Sequence, residues 1–188
     1  MDVPEINMLT EKQWNKISSS FDGRIYQTWH RMKKRVKNIS ATSHIFNGTD
    51  LLDIGCNAGI MMMCVNPDKY TGLEVNPEYY DQAAVTIKHS RIENKEIINS
   101  SFLEYDDSDI NSVLGCNVLY HLSEEEIIKL RSLLDRCRSF LFTVKRKDLN
   151  RTNNTYNFHI PENVVEYVKD FKPHIAEKSE YTRIWGIK

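Results

Sequence analysis

Read by the spacing of its apolar residues, the chain changes character at about residue 48. Before that point apolar positions recur at helical intervals; after it, short apolar runs alternate with amphipathic stretches. Thr10-Glu11-Lys12-Gln13 has the form of a capping box and predicts a short helix carrying Trp14 and Ile17. Asp22 is placed to cap a second helix over about 23–38, where Ile25, Trp29, Met32 and Val36 share one face. Asn47-Gly48 then signals a turn.

Beyond the turn, 51–54 is a short apolar strand that runs into a glycine-bearing loop, followed by a helix-like segment over 60–65. A second strand is predicted over 70–75. Asn76-Pro77 is a strong helix start, an N-cap followed by proline at the first helical position, and that helix carries Tyr80, Ala83, Ala84 and Ile87. Ile97-Ile98 marks a third strand and 113–117 a fourth. Ser123-Glu124-Glu125-Glu126 forms another capping box, leading a helix through Ile127, Leu130, Leu134 and Cys137. A fifth strand over 139–144 and a helix over 161–168 follow, and 174–182 with 183–187 make a closing hairpin. Strands alternating with helices predict an α/β domain, with a mainly parallel sheet covered on both faces. Ligands of such sheets bind at the carboxyl ends of the strands, where the strand order reverses.

Composition narrows this only a little. A chain of 188 residues fits one domain over 1–188, with 1–48 a helical extension and 49–188 the core. A net charge of −1 provides no global field to recruit nucleic acid or an anionic membrane. No apolar run approaches the roughly 20 residues of a membrane span, and the polar, acidic start is unlike a secretory signal. Cys56, Cys64, Cys116 and Cys137 show no C-x-x-C spacing, so the expectation is no zinc site and a reducing, cytoplasmic setting.

The most informative segment is Asp53-Ile54-Gly55-Cys56-Asn57-Ala58-Gly59. A strand ends in a turn whose glycines let backbone approach a ligand closely. A dinucleotide loop would need glycines where Asn57 and Ile60 stand, and no Gly-Lys-Ser/Thr closes a phosphate loop. An acid inside the motif, Asp53, favours a cationic ligand. Glu74 lies 21 residues further on at the end of the next strand, placed to accept the hydroxyls of a ribose.

These residues resemble the class I methyltransferases that use S-adenosylmethionine (SAM). The first motif of that family, acid-x-Gly-x-x-x-Gly, is matched by Asp53, Gly55 and Gly59, with Asn57 in place of a middle glycine. The resemblance covers about 51–144 and implies a Rossmann-like, mostly parallel seven-stranded sheet with a C-terminal antiparallel hairpin. It implies that the loop, including Cys56 and Asn57, meets the methionine part of SAM, that Glu74 holds the ribose, and that Val75 and Asn76 border the adenine. Ser100-Ser101-Phe102 stands where the family often has Gly-Asp-aromatic beside the adenine. Ser101 replaces the acid, leaving a hydroxyl or a backbone carbonyl to hold the adenine amino group. Asn117-Val118-Leu119-Tyr120-His121 resembles the fourth motif of the small-molecule branch, and the N-P-P-Y signature of base amino methylation is absent. Cys116 and Asn117 then lie beside the cofactor, with Cys56 and Cys116 read as small apolar filler rather than nucleophiles.

For the acceptor side, His121 is the candidate general base, because an alcohol attacking a sulfonium carbon profits from a base tuned near neutral pH. It can equally serve only to pack at the start of the next helix. Tyr120 either assists or walls the pocket, and His159 is a second candidate. Trp29 and His30, on the helix before the first strand, either lid the cofactor or belong to an ordinary amphipathic helix. The basic clusters Arg31–Lys37 and Lys145-Arg146-Lys147 read as solvated faces more readily than as phosphate grips. The expected reaction is in-line methyl transfer from SAM, with no metal, to a hydroxyl of a sugar or other small molecule. A tRNA or nucleotide methyltransferase comes second, and a non-catalytic SAM-binding partner subunit third.

Overall fold

The computed structural model describes residues 10–12, 15, 36, 39–90, 92–145, 164, 166–177 and 181–188. Seven strands form one sheet: β1 (Asp50–Ile54), β2 (Lys69–Leu73), β3 (Asn94–Ile98), β4 (Ser112–Cys116), β5 (Ser139–Lys145), β6 (His174–Glu177) and β7 (Tyr181–Ile187). Their order across the sheet is β3-β2-β1-β4-β5-β7-β6. The first five are parallel, while β7 runs antiparallel between β5 and β6. The chain therefore winds outward from β1 in both directions, and the order reverses between β1 and β4.

Alternation along the strands sorts the core into two layers. Leu51, Tyr70, Leu114 and Leu141 join one cluster with Ile45, Phe46 and Met61–Met63. Leu52, Leu73, Val113, Phe140 and Phe142 join the other. Neighbouring residues of β1, β4 and β5 thus point to opposite faces and both faces are covered, which is why these strands read as unbroken apolar runs. Helix α1 (Pro77–Thr86) starts where Asn76 predicts: its carboxamide oxygen accepts from the backbone N–H of Glu78 at 2.9 Å. Helix α2 (Glu124–Arg136) opens with the full capping box of Ser123 and Glu126, then buries Ile127, Leu130, Leu133 and Leu134 on the second layer.

Several boundaries differ from expectation, β2 ending at Leu73 rather than 75 among them. β3 runs from Asn94, three residues before the predicted start, because it is an edge strand whose Asn94, Lys95 and Glu96 need not be apolar. The segment after the glycine loop is a 3-10 helix, Ile60–Cys64, with all five residues buried. The hairpin turns earlier than 182, since β6 ends at Glu177 and β7 already begins at Tyr181. Val36 is helical and buried as predicted, and Ile39 and Ser40, past the predicted helix end, are helical too. Of the predicted helix over 161–168, Val164, Glu166 and Tyr167 are helical. Glu11, Lys12 and Asn15 of the first predicted helix are helical, while Trp14, Ile17, Ile25, Trp29 and Met32 lie outside the described residues. Among those described, no helix is long and apolar enough to cross a membrane.

Candidate functional site

The loop leaving β1 is built from left-handed residues at alternate positions: Gly55 (φ 66°), Asn57 (φ 52°) and Gly59 (φ 72°). Asn57 can stand where many such loops have glycine because asparagine tolerates this region better than other side-chain-bearing residues. Gly55 has no such substitute: a Cβ there would lie 2.6 Å from Cγ2 of Val118, just beyond β4. The loop is tied to β2 through the Cys56 N–H, which donates to the Leu73 carbonyl at 2.9 Å. Cys56 itself sits over Gly72, where an added Cβ would come within 2.9 Å of its sulfur.

Glu74 follows β2 and is 7% exposed. One carboxylate oxygen accepts from the Asn57 N–H at 2.8 Å and the other from the Asn76 N–H at 2.9 Å. It therefore clasps the glycine loop to the start of α1 through two charge-assisted hydrogen bonds. Two of the roughly four acceptor positions of a carboxylate are used this way. Val75, the next residue, is 68% exposed, an apolar surface at the lip of the site. Its backbone is pinned by Asn99, whose amide donates to the carbonyls of Glu74 (2.7 Å) and Val75 (3.2 Å). Asn99 escapes sequence reasoning, since an asparagine after a strand reads as an ordinary loop residue.

Asp53 is 1% exposed. Oδ2 accepts from the Tyr70 hydroxyl at 2.6 Å, while Oδ1 is buried without a partner among the described residues. Burial raises its pKa to about 7; the Tyr70 hydrogen bond opposes that rise and the charge of Glu74 adds to it. Tyr70 was not among the predicted site residues. The signal was available in strand geometry: Tyr70 pairs with Leu51, so it lies diagonal to Asp53 on the same face of the sheet.

On the β4 side, Asn117 is also left-handed (φ 57°), its N–H donates to the Thr143 carbonyl at 2.9 Å, and its Oδ1 is buried without a partner among the described residues. Cys116 is half-buried at the edge of the first core layer. A short 3-10 turn, Leu119–His121, buries Leu119 and leaves His121 exposed. The rings of Tyr120 and His121 lie 4.3 Å apart, tilted by 48°. Ser101 is half-buried and its carbonyl accepts from the Ser100 hydroxyl at 3.1 Å. Phe102 is buried in the second core layer, with the Lys129 ammonium 5.0 Å from its ring centre. Burial pushes the Cys56 and Cys64 thiols up, so both are poor nucleophiles. Asp53, Gly55, Cys56, Asn57, Gly59 and Glu74 are therefore joined around the ends of β1 and β2, and Val118 brings the end of β4 against Gly55. Trp29, His30 and His159 lie outside the described residues.

No protein-family model matches the sequence, and no curated protein matches it. Solved structures do match in fold. Magnesium protoporphyrin IX methyltransferase (ChlM) from Synechocystis PCC 6803, crystallised with S-adenosylhomocysteine (SAH), superposes with a TM-score of 0.62 at 12% identity, covering 94% of this chain and 93% of that one. The N-methyltransferase NodS from Bradyrhizobium japonicum WM9 gives 0.63 at 15% identity, over 83% and 95%. The N-terminal domain of EvdMO1, determined in the presence of SAH and D-fucose, gives 0.61 at 13% identity, over 96% and 98%. With its seven strands in this order and its glycine loop at the end of β1, the chain has the Rossmann-like fold of the class I SAM-dependent methyltransferases.

Proposed function

We propose that the protein is a SAM-dependent methyltransferase that methylates a hydroxyl of a sugar or other small molecule. The observation that carries this reading is the convergence of Asp53, the left-handed loop and Glu74 at the ends of two adjacent parallel strands. The residues fit the cofactor. The buried, unpartnered Oδ1 of Asp53 calls for a hydrogen-bond donor or a cation. The free acceptor positions of Glu74 suit ribose hydroxyls, and the exposed Val75 offers an apolar surface to an adenine ring. Structures of the same fold with SAH add support.

When bound, SAM supplies a methyl group on a sulfonium that is already a good leaving group. The chain's part is chiefly positioning, since transfer needs the reacting atoms at about 3 Å and in line. Gly55 and Gly59 let the backbone approach the ligand without an intruding side chain, and Asn57 ties the loop between them to Glu74. Cys56, Cys116 and Asn117 border it, and Ser101 and Phe102 flank the adenine end. His121 takes the proton of the acceptor hydroxyl as general base, with Tyr120 beside it and His159 as a second candidate. Trp29 and His30 of the N-terminal extension are the lid candidates, and 49–188 form the SAM-binding core.

The test is transfer of a labelled SAM methyl group to panels of sugars, small alcohols and tRNA. Methylation of a hydroxyl-bearing small molecule is the expected result. Labelling of tRNA overturns the substrate class, and tight SAM binding without turnover on any panel makes the protein a non-catalytic SAM-binding subunit.

A further inference from the structure

Asp53 is the acid of this site whose hydrogen bonding is incomplete. The Tyr70 hydroxyl is a single donor and satisfies only Oδ2, leaving Oδ1 buried and without a partner among the described residues. Tyr70 is fully buried in the first core layer, so this hydrogen bond is held in place by packing. The groups that act on the pair come from every neighbouring element: Glu74 after β2, Cys56 in the loop, Cys64 in the 3-10 helix beyond it and Cys116 at the end of β4. The Tyr70 phenol and the Cys56 and Cys64 thiols are all pushed up by burial and stay neutral, and the charge of Glu74 adds to the rise at Asp53. The ion pairs Lys69–Glu96, Arg136–Asp107 and Lys169–Glu166 do not include Asp53. A carboxylic acid buried in this way, with one hydroxyl donor, holds its proton to higher pH than a solvated one, and an arriving positive charge favours its release.

We propose that Asp53 is a proton-exchanging counter-charge for the cationic part of the cofactor, held by Tyr70 as positioning residue, so that cofactor binding and proton release are a single event. The inference rests on the SAM reading above. The balance is simple: the Asp53 carboxylic acid becomes a carboxylate, the proton passes to solvent buffer, and no bond of the cofactor breaks. An acid half-protonated near neutral pH is placed to make this exchange under ordinary conditions.

Calorimetric titration with SAM in buffers of different ionisation enthalpy reads the released proton directly. The expected result is about half a proton released at pH 7, more towards pH 6 and close to none by pH 9. Tyr70→Phe removes the donor that favours the carboxylate, so its release profile moves to higher pH. Asp53→Asn abolishes the buffer dependence and weakens binding. A parallel titration with SAH, which keeps the ammonium but lacks the sulfonium charge, shows which cation Asp53 meets; release with either ligand supports the proposal.

Unfolding provides a second readout that needs no ligand. The raised pKa of Asp53 stabilises the fold below about pH 4, and that contribution is lost as pH rises towards about 7. Asp53→Asn therefore unfolds at higher temperature than the wild type above pH 7, with a gain that shrinks as pH falls towards 4. SAM binding with buffer-independent heat between pH 6 and 8 overturns the inference and leaves the cofactor intact. Exchange that persists in Asp53→Asn, or the absence of its pH-dependent stability gain, removes Asp53 as the source. No binding by the wild type overturns the cofactor reading and the inference together.

Discussion

The two sides of the crevice are built differently. At the ends of β1 and β2 the functional groups are locked: Glu74 is hydrogen-bonded to two backbone N–H groups, Asp53 to Tyr70, and Cys56 is seated on Gly72. At the end of β4, Tyr120 and His121 ride a short 3-10 turn between the buried Leu119 and Leu122, with His121 exposed. The first side is shaped before any ligand arrives, which suits a ligand that is always the same. The second is a few side chains on a turn, which suits a partner that differs from one relative to another. Substitutions on the two sides should therefore fail differently: on the β4 side in turnover, on the β1–β2 side in binding or stability.

The largest effect is expected at His121. His121→Ala should lower kcat about 10²–10⁴-fold on the true acceptor while leaving SAM affinity and the unfolding temperature close to wild type. Steady-state kinetics alongside thermal unfolding checks this, and unchanged turnover removes the histidine as base. A drop in stability as large as the drop in rate would blur the distinction between the two sides.

Glu74→Ala comes next. It takes two charge-assisted hydrogen bonds from the loop and from the start of α1, together with the proposed ribose partner, and should weaken SAM binding about 100-fold. Direct titration decides it, and intact affinity would sink the assignment of the cofactor side. Gly55→Ala tests where the two sides touch. Its Cβ would meet Val118 at 2.6 Å in a left-handed residue, costing about 2 kcal/mol, or roughly 4–8 °C in Tm. Adding Val118→Ala should restore part of that loss. No recovery would mean that backbone strain, rather than contact with the β4 side, sets the cost.

The same contrast explains what could be read from the residues alone. The sheet was legible because both of its faces are buried, so β1, β4 and β5 appear as apolar runs, and because Asn76 and Ser123 announce the two helices by their own hydrogen bonds. Asp53, Gly55 and Glu74 were legible because each closes a strand or bears the loop. Tyr70 and Asn99 were not, since their roles depend on the registers of β1 with β2 and of β2 with β3, which no local pattern encodes. The end of β6 at Glu177 was not legible because no glycine, proline or asparagine stands between Glu177 and Tyr181 in the sequence.

The smallest effect is expected where this chain departs from the usual loop. Asn57 and Gly55 share nearly the same backbone conformation, yet they differ in what a side chain would meet. Position 57 carries a side chain, and the Asn57 backbone N–H, rather than its carboxamide, holds Glu74. Asn57→Gly relieves the left-handed strain of a non-glycine residue but gives the unfolded chain more freedom. These opposing contributions should leave Tm within about 3 °C of wild type, a change of no more than about 1 kcal/mol. Differential scanning calorimetry of Asn57→Gly beside Gly55→Ala measures the contrast directly. A large loss in Asn57→Gly would show that the asparagine side chain itself supports the loop, and the locked side of the crevice would then depend on one more group than the hydrogen bonds of Glu74 reveal.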